Sequence, residues 1–291
     1  MPDPRRERFR ELIERPGITV VPGAHDALTA RLIEAGGFEA VYMTGAGTVN
    51  ALTGLPDNGL ATASEVVMSA RYMADAVSLP LIVDADTGYG NAVNVVRTVA
   101  DLERAGAACI QLEDQISPKR CGHISGKEVV ERAEFMGKIR AAADHRRDPA
   151  LAIMARTDAR ATHGMEEAVA RGCEAREAGA DLIFIEALET PEEFAEFARR
   201  CPGPLLANMT EFGKTPYLGA EEFAQMGYRF VIFPASIMRV MLKAGQEFLG
   251  VLRAEGTQRP FLDRMMTREE LYELIGYDDY HRIETEYLPH E

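Results

Sequence analysis

Residues 113–123 read EDQISPKRCGH and set one cysteine, Cys121, beside Lys119, Arg120 and His123. Positive neighbours lower a thiol's pKa and favour the thiolate. A cysteine so placed can pass a proton to or from carbon, or attack as a nucleophile. Its segment, QISPKRCGHISGK, contains Pro118, which stops a helix, and Gly122 and Gly126, which give hinges. It reads as a mobile loop over a site. A second set of chemical residues is acidic. Asp84, Asp86 and Glu113 make an oxygen-rich group of the kind Mg²⁺ prefers. Clustered carboxylates without a cation would repel one another. Arg156 and Arg239 can each grip a carboxylate bidentately, or serve as structural ion pairs.

These residues need elements to hold them, and one phrase recurs along the chain: IEAGGFEAVYM, ERAGAACIQLE, REAGADLIFIE and AQMGYRFVIFP. Each is a helix end, a glycine and a short apolar run. Gly36, Gly106, Gly179 and Gly227 fit the left-handed position that closes a helix. The apolar runs lack polar alternation, as strands buried on both faces do. With ITVVPG, LPLIVDAD, LAIMART and GPLLAN they predict eight strands, near 18–22, 39–43, 80–84, 108–112, 151–155, 182–186, 204–207 and 229–233. Helical patterns such as ASEVVMSARYMADAV and AVNVVRTVADLERAG separate them. Eight alternating units predict a closed (β/α)8 barrel in the α/β class, over an open doubly wound sheet. No G-x-G-x-x-G follows a strand, and TGAGTVNALTG lacks the lysine of a phosphate loop.

In such a barrel, chemistry sits at the C-terminal strand ends. Those ends carry Tyr42 and Thr44-Gly45-Ala46, then Asp84 and Asp86, Glu113 and Asp114, Arg156-Thr157-Asp158, Glu186, and Asn208 with Thr210; Ser236 and Arg239 follow the eighth strand. Residues from about 255 fall outside the eight units. There TREELYELI predicts a helix with a Thr267–Glu270 capping box, an extension suited to packing on a neighbouring subunit.

The bulk numbers bound the function. The chain has 291 residues, 46% hydrophobic and 27% charged, with a net charge of −14. That balance argues against a nucleic-acid partner. No run is long enough to span a membrane, and the N-terminal stretch has no apolar core of a signal peptide. The expected location is the cytoplasm. Cys109, Cys173 and Cys201 share no metal spacing with Cys121 and read as ordinary core or turn residues.

Taken together, GLPDNG, DADTGYGNAVNVVRT, LEDQISPKRCGH, IMARTDA, LLANMTEFGKTP and EGTQ resemble motifs of the isocitrate lyase and phosphoenolpyruvate mutase superfamily, over nearly the whole chain. KRCGH resembles the loop of members that cleave a C–C bond beside an alcohol. NMTEFG and Arg239 are similar to the 2-methylisocitrate lyases, whereas VPGAHDALTA, MTGAGT and Ala46 look more like the dimethylmalate lyase and phosphonomutase relatives.

The resemblance implies a single (β/α)8 domain with a C-terminal helix swapped between subunits of a homotetramer, and Mg²⁺, or Mn²⁺, as cofactor. It implies a small di- or tricarboxylate substrate, 2-methylisocitrate, cleaved to pyruvate and succinate. Asp84, Asp86 and Glu113 would hold the metal, with Asp57 near its waters. Thr44, Gly45, Ala46 and Arg156 would hold the pyruvate half, Glu186, Asn208, Thr210 and Arg239 the succinate half, with Gly122 among the substrate contacts. Tyr42 would be a base or relay, Cys121 the acid to carbon, and Lys119 and His123 the loop's latch. The alternatives are a lyase for a smaller hydroxy diacid such as 2,3-dimethylmalate, a carboxyphosphonoenolpyruvate or phosphonopyruvate mutase, and a non-catalytic dicarboxylate-binding barrel.

Overall fold

In the computed structural model, which describes residues 3–120 and 126–288, the predicted strands close into one parallel barrel in sequence order. The strands are β1 (Thr19–Ala24), β2 (Val41–Met43), β3 (Leu81–Asp84), β4 (Cys109–Glu113), β5 (Ala152–Thr157), β6 (Leu182–Ile185), β7 (Leu205–Asn208) and β8 (Phe230–Phe233). Each lies within two residues of its predicted start. β8 returns to pair with β1, so no strand edge is left open. The chain divides into two compact units, residues 1–236 and 237–291.

The strand period places the site. One buried cluster contains Ile82, Cys109, Ala152 and Met154, Leu182 and Phe184, Leu206, and Phe230 and Ile232. Residues two apart face the same side of a strand, here the barrel interior. One step further along the same face come Asp84, Gln111 then Glu113, Arg156, Glu186 and Asn208. The apolar filling of the barrel therefore passes directly into its polar mouth.

The opposite end is closed by a helix that sequence patterning did not flag, Pro4–Glu14, which starts on an Asp3 cap. Its Phe9, Leu12 and Ile13 belong to the same buried cluster, and the Phe9 ring stacks on Phe230 at 5.3 Å. Arg6 donates to the Ala107 carbonyl, and Arg10 to those of Ala150 and Leu151. These carbonyls lie just before or at the starts of β4 and β5. The basic residues of the N-terminal stretch thus cap the strand starts.

One local reading is corrected. Gly36 has φ −72° and does not take the left-handed turn; its neighbour Gly37, at φ 79°, does. Gly106, Gly179 and Gly227 are left-handed as expected. The glycine-rich TGAGTVNALTG is a helix, Gly45–Thr53, capped by Thr44.

In the second unit, Arg268–Ile275 is helical, and Thr267 and Glu270 form both bonds of the predicted capping box. The helix Ser236–Glu255 buries no residue, and Val240, Leu242 and Leu249 are more than 60% exposed.

Phe9→Ala should lower unfolding stability by about 3–5 kcal/mol, as large-to-small core changes do. Urea unfolding followed by circular dichroism measures it. A loss under about 1 kcal/mol would mean the N-terminal helix is not part of the core.

Candidate active site

The parallel register sets polar partners side by side. Asp84 is level with Gln111, Glu113 with Arg156, and Arg156 with Phe184. Asp84 Oδ1 accepts from two donors, Gln111 Nε2 at 2.9 Å and the Asp86 N–H at 3.2 Å, and Tyr42 Oη lies 3.4 Å from Oδ2. Gln111 is fully buried, and its Oε1 accepts from Tyr42 at 3.0 Å. The sequence reading missed this residue. Its signal was a lone amide inside the apolar run ACIQLE.

Burial, and next the Asp84 charge, raise Tyr42 well above the usual phenol range. Tyr42 therefore keeps its proton at neutral pH, which suits a relay or donor better than a base. Asp86 sits at φ 48°, a conformation that L residues rarely adopt.

Lys119 reaches from the loop stem into this acid group. Its ammonium lies 2.5 Å from Asp57 Oδ1 and 2.9 Å from Asp86 Oδ1, and the residue is 5% exposed. Burial alone would depress its pKa, but Asp86, Glu113, Asp84 and Asp57 together raise it, so it stays charged. Burial raises Asp86 to about 6, against the pull of Lys119. Burial also raises Glu113 well above the usual carboxylate range, opposed by Arg156.

No three His, Cys, Asp or Glu side chains among the described residues close to metal-ligand spacing. A lysine ammonium stands between Asp57 and Asp86. The donor chemistry nevertheless suits a hard divalent cation. Buried Glu113 Oε1 accepts no hydrogen bond from a described residue, and Asp57 Oδ1 and Asp86 Oδ1 share the single Lys119 ammonium. Among the described residues around β3 to β6, seven carboxylates (Asp57, Asp84, Asp86, Glu113, Asp114, Asp158, Glu186) stand with five cations (Lys119, Lys127, Lys138, Arg156, Arg171). The excess of negative charge is what a bound cation would offset.

Gly45 begins its helix directly over Asp84. A Cβ at Gly45 would lie 2.6 Å from Asp84 Oδ2, so only glycine fits. The N–H of Gly47 bonds Thr44 Oγ1 and that of Thr48 the Thr44 carbonyl, which leaves the Gly45 and Ala46 amides outside the cap. A helix start of this kind receives anions.

On the far side, Arg156 Nε lies 3.0 Å from Asp158 and 3.3 Å from Glu113, and Nη2 3.5 Å from Glu186. Its guanidinium also covers the Phe184 ring at 5.2 Å. The Asn208 amide faces both Glu186 oxygens at 3.3 Å. Thr210 is half-buried beyond it. Arg239 lies on the helix Ser236–Glu255, in the second unit.

The stem of the cysteine loop is pinned on both sides. Gln115 exchanges two hydrogen bonds with the Arg120 backbone at 2.9 Å and pairs with Val129 in a bridge. Lys127 reaches Asp158 at 2.5 Å. Cys121, Gly122 and His123 lie outside the described residues.

Residues 9–252 match the family described as phosphoenolpyruvate phosphomutase. The chain is 52% identical over 278 residues to a 2-methylisocitrate lyase of Aeropyrum pernix, covering 96% of this chain and 89% of that one. It is 46% identical over 280 residues to a 2,3-dimethylmalate lyase of Eubacterium barkeri, covering 96% and 97%. A solved phosphonopyruvate hydrolase, in complex with oxalate and Mg²⁺, superposes with a TM-score of 0.89 at 33% identity, covering 98% of this chain and 99% of that one. The resemblance carried by the motifs is borne out: this chain belongs to the PEP mutase/isocitrate lyase superfamily.

Proposed function

We propose that the protein is a divalent-metal-dependent carbon–carbon lyase that cleaves 2-methylisocitrate to pyruvate and succinate. The observation that carries this reading is the buried carboxylate group of Asp57, Asp84, Asp86 and Glu113, whose Asp84 and Asp86 oxygens lie beside the uncapped amides at Gly45. A cation site and an anion site side by side suit a 2-hydroxy carboxylate. The Aeropyrum pernix relative supports the substrate.

Asp84, Asp86 and Glu113 would hold Mg²⁺, or Mn²⁺, with Asp57 close by. When bound, the cation would supply Lewis acidity that lowers the substrate hydroxyl pKa. The amides of Gly45 and Ala46 and the guanidinium of Arg156 hold the pyruvate carboxylate. Tyr42, already beside Asp84 and bonded to Gln111, relays the hydroxyl proton. As that proton leaves, the C–C bond breaks and its electron pair stays on the succinate carbon. Cys121 then delivers a proton to that carbon, with Lys119 and His123 setting the loop's charge and Gly122 against the substrate. Glu186, Asn208, Thr210 and Arg239 bind the succinate half.

The wider reading is one barrel domain with a C-terminal helical extension, a homotetramer that swaps that extension, and a cytoplasmic location. Exposed apolar residues of the second unit, including Val240, Leu242 and Leu249, support an oligomer because such surface is costly in water. No described helix is long and apolar enough to cross a membrane.

Cleavage of 2,3-dimethylmalate is the second reading, favoured by Ala46 and the Eubacterium barkeri relative. Arg239→Met separates the two. It should cut kcat/KM for 2-methylisocitrate at least tenfold more than for dimethylmalate, about 1.4 kcal/mol of discrimination. Equal losses would remove Arg239 from distal-carboxylate binding. Cys121→Ser should retain substrate binding but lose about 10²- to 10⁴-fold in kcat, the usual loss of a general acid. Full turnover in a pyruvate-release assay would exclude Cys121 from the mechanism.

Chelation should abolish pyruvate release, and Mg²⁺ should restore it. Metal affinity should also depend on pH. Asp86 titrates near 6 through burial and must lose its proton to hold a cation. Burial raises Glu113 as well, so affinity measured calorimetrically should fall as pH drops through 6 and should keep rising above it. A flat profile from pH 5 to 8 would exclude Asp86 as a ligand.

A further inference from the structure

We propose that Asp158 is a positioning residue for the carboxylate-binding arginine, and that Lys127 keeps it from over-gripping. The inference rests on the reading that Arg156 receives a substrate carboxylate.

Asp158 is completely buried, at the end of β5. A buried carboxylate must be paired, and this one divides its charge between two cations. Oδ2 accepts from Arg156 Nε at 3.0 Å, while Oδ1 meets Lys127 Nζ at 2.5 Å. Its own backbone is clamped: the Asp158 N–H donates to Asp114 Oδ1 at 2.9 Å, and Thr157 Oγ1 to Asp114 Oδ2 at 2.6 Å. Arg171 closes the far side of Asp114 at 3.1 Å. The acceptor facing Arg156 thus has a fixed place.

That place matters because Arg156 stands among three carboxylates. Without Asp158, its Nε edge is drawn toward Glu113 at 3.3 Å and its Nη2 toward Glu186 at 3.5 Å. Such a collapse would cover the acid wanted for the metal and turn the guanidinium from the substrate. Asp158 holds the Nε edge and leaves the Nη edge for a ligand.

Lys127 sets how strongly it holds. A carboxylate free to choose takes arginine through two parallel hydrogen bonds. Here the second contact, Arg156 Nη2 to Asp158 Oδ1, is stretched to 3.5 Å. Lys127 occupies that oxygen. Asp158 therefore orients the arginine through one strong bond and leaves most of its donors available.

The test uses oxalate, the ligand of the solved phosphonopyruvate hydrolase complex, titrated calorimetrically into the whole protein with Mg²⁺. Lys127→Met and Asp158→Asn should each weaken oxalate at least tenfold, and the double variant should lose no more than the worse single one, because the pair acts as a unit. In turnover, KM for the carboxylate substrate should rise more than kcat falls. Oxalate affinity within threefold of the wild type in folded Lys127→Met overturns the proposal, as do additive losses. If Asp158→Asn fails to fold, the Lys127→Met titration alone still decides. Oxalate binding needs no turnover. A wild type that binds oxalate but cleaves no hydroxy acid would sink the lyase reading and leave this result standing.

Discussion

The arrangement depends on one constraint: more buried negative charge at the C-terminal strand ends than the protein's own cations neutralise. Asp84, Glu113, Asp114, Asp158 and Glu186 are all at most 7% exposed. Taking a carboxylate out of water costs several kcal/mol after relaxation, unless a charge and hydrogen bonds meet it. The parallel register meets part of that demand by setting Glu113 level with Arg156. Lys119 and Lys127 meet more, one from each side of the cysteine loop. On the proposed reading, the remainder would be met by a bound cation. On that reading metal binding and loop position would be coupled, because an entering cation and the Lys119 ammonium would seek the same Asp57 and Asp86 oxygens.

Much of the scaffold was legible in the sequence, for a physical reason. Strands buried on both faces leave continuous apolar runs, and a barrel of eight such runs needs a helix and a turn glycine between them. The acids were legible because each interrupts such a run at its end. What escaped was spatial. Pro4–Glu14 has a strongly charged pattern, since its arginines serve strand-start carbonyls rather than water. The left-handed glycine at 37 rather than 36 is a shift that a GG pair hides.

Within the site, ligand types were easier to read than their partners. Asp84 was evident, but Gln111, which aims it, lies 27 residues away and becomes a neighbour only through strand register. Lys119 was read as a loop charge from its proximity to Cys121. Its place in the acid ring depends on the stem held by Gln115, which no spacing rule reveals. Asp158 was legible as a strand-end acid, but its pairing with Lys127 carried no signal, because an ion pair 31 residues apart has no periodicity.

The two ends of the barrel do opposite work. At the strand starts, stacked Phe9 and Phe230 and the hydrogen bonds of Arg6 and Arg10 to backbone carbonyls give cohesion. At the strand ends the backbone is under strain. Asp86, Ala187 and Phe212 all hold positive φ, each at a cost on the order of 1–3 kcal/mol. These residues follow β3, β6 and β7, where the polar interior face meets its loops. The strain and the clustered acids occupy the same rim. A bound cation offsets the charge and stabilises the folded form by mass action. The mouth can remain poised for a ligand because the cost is borne by an apolar barrel that is closed at its other end.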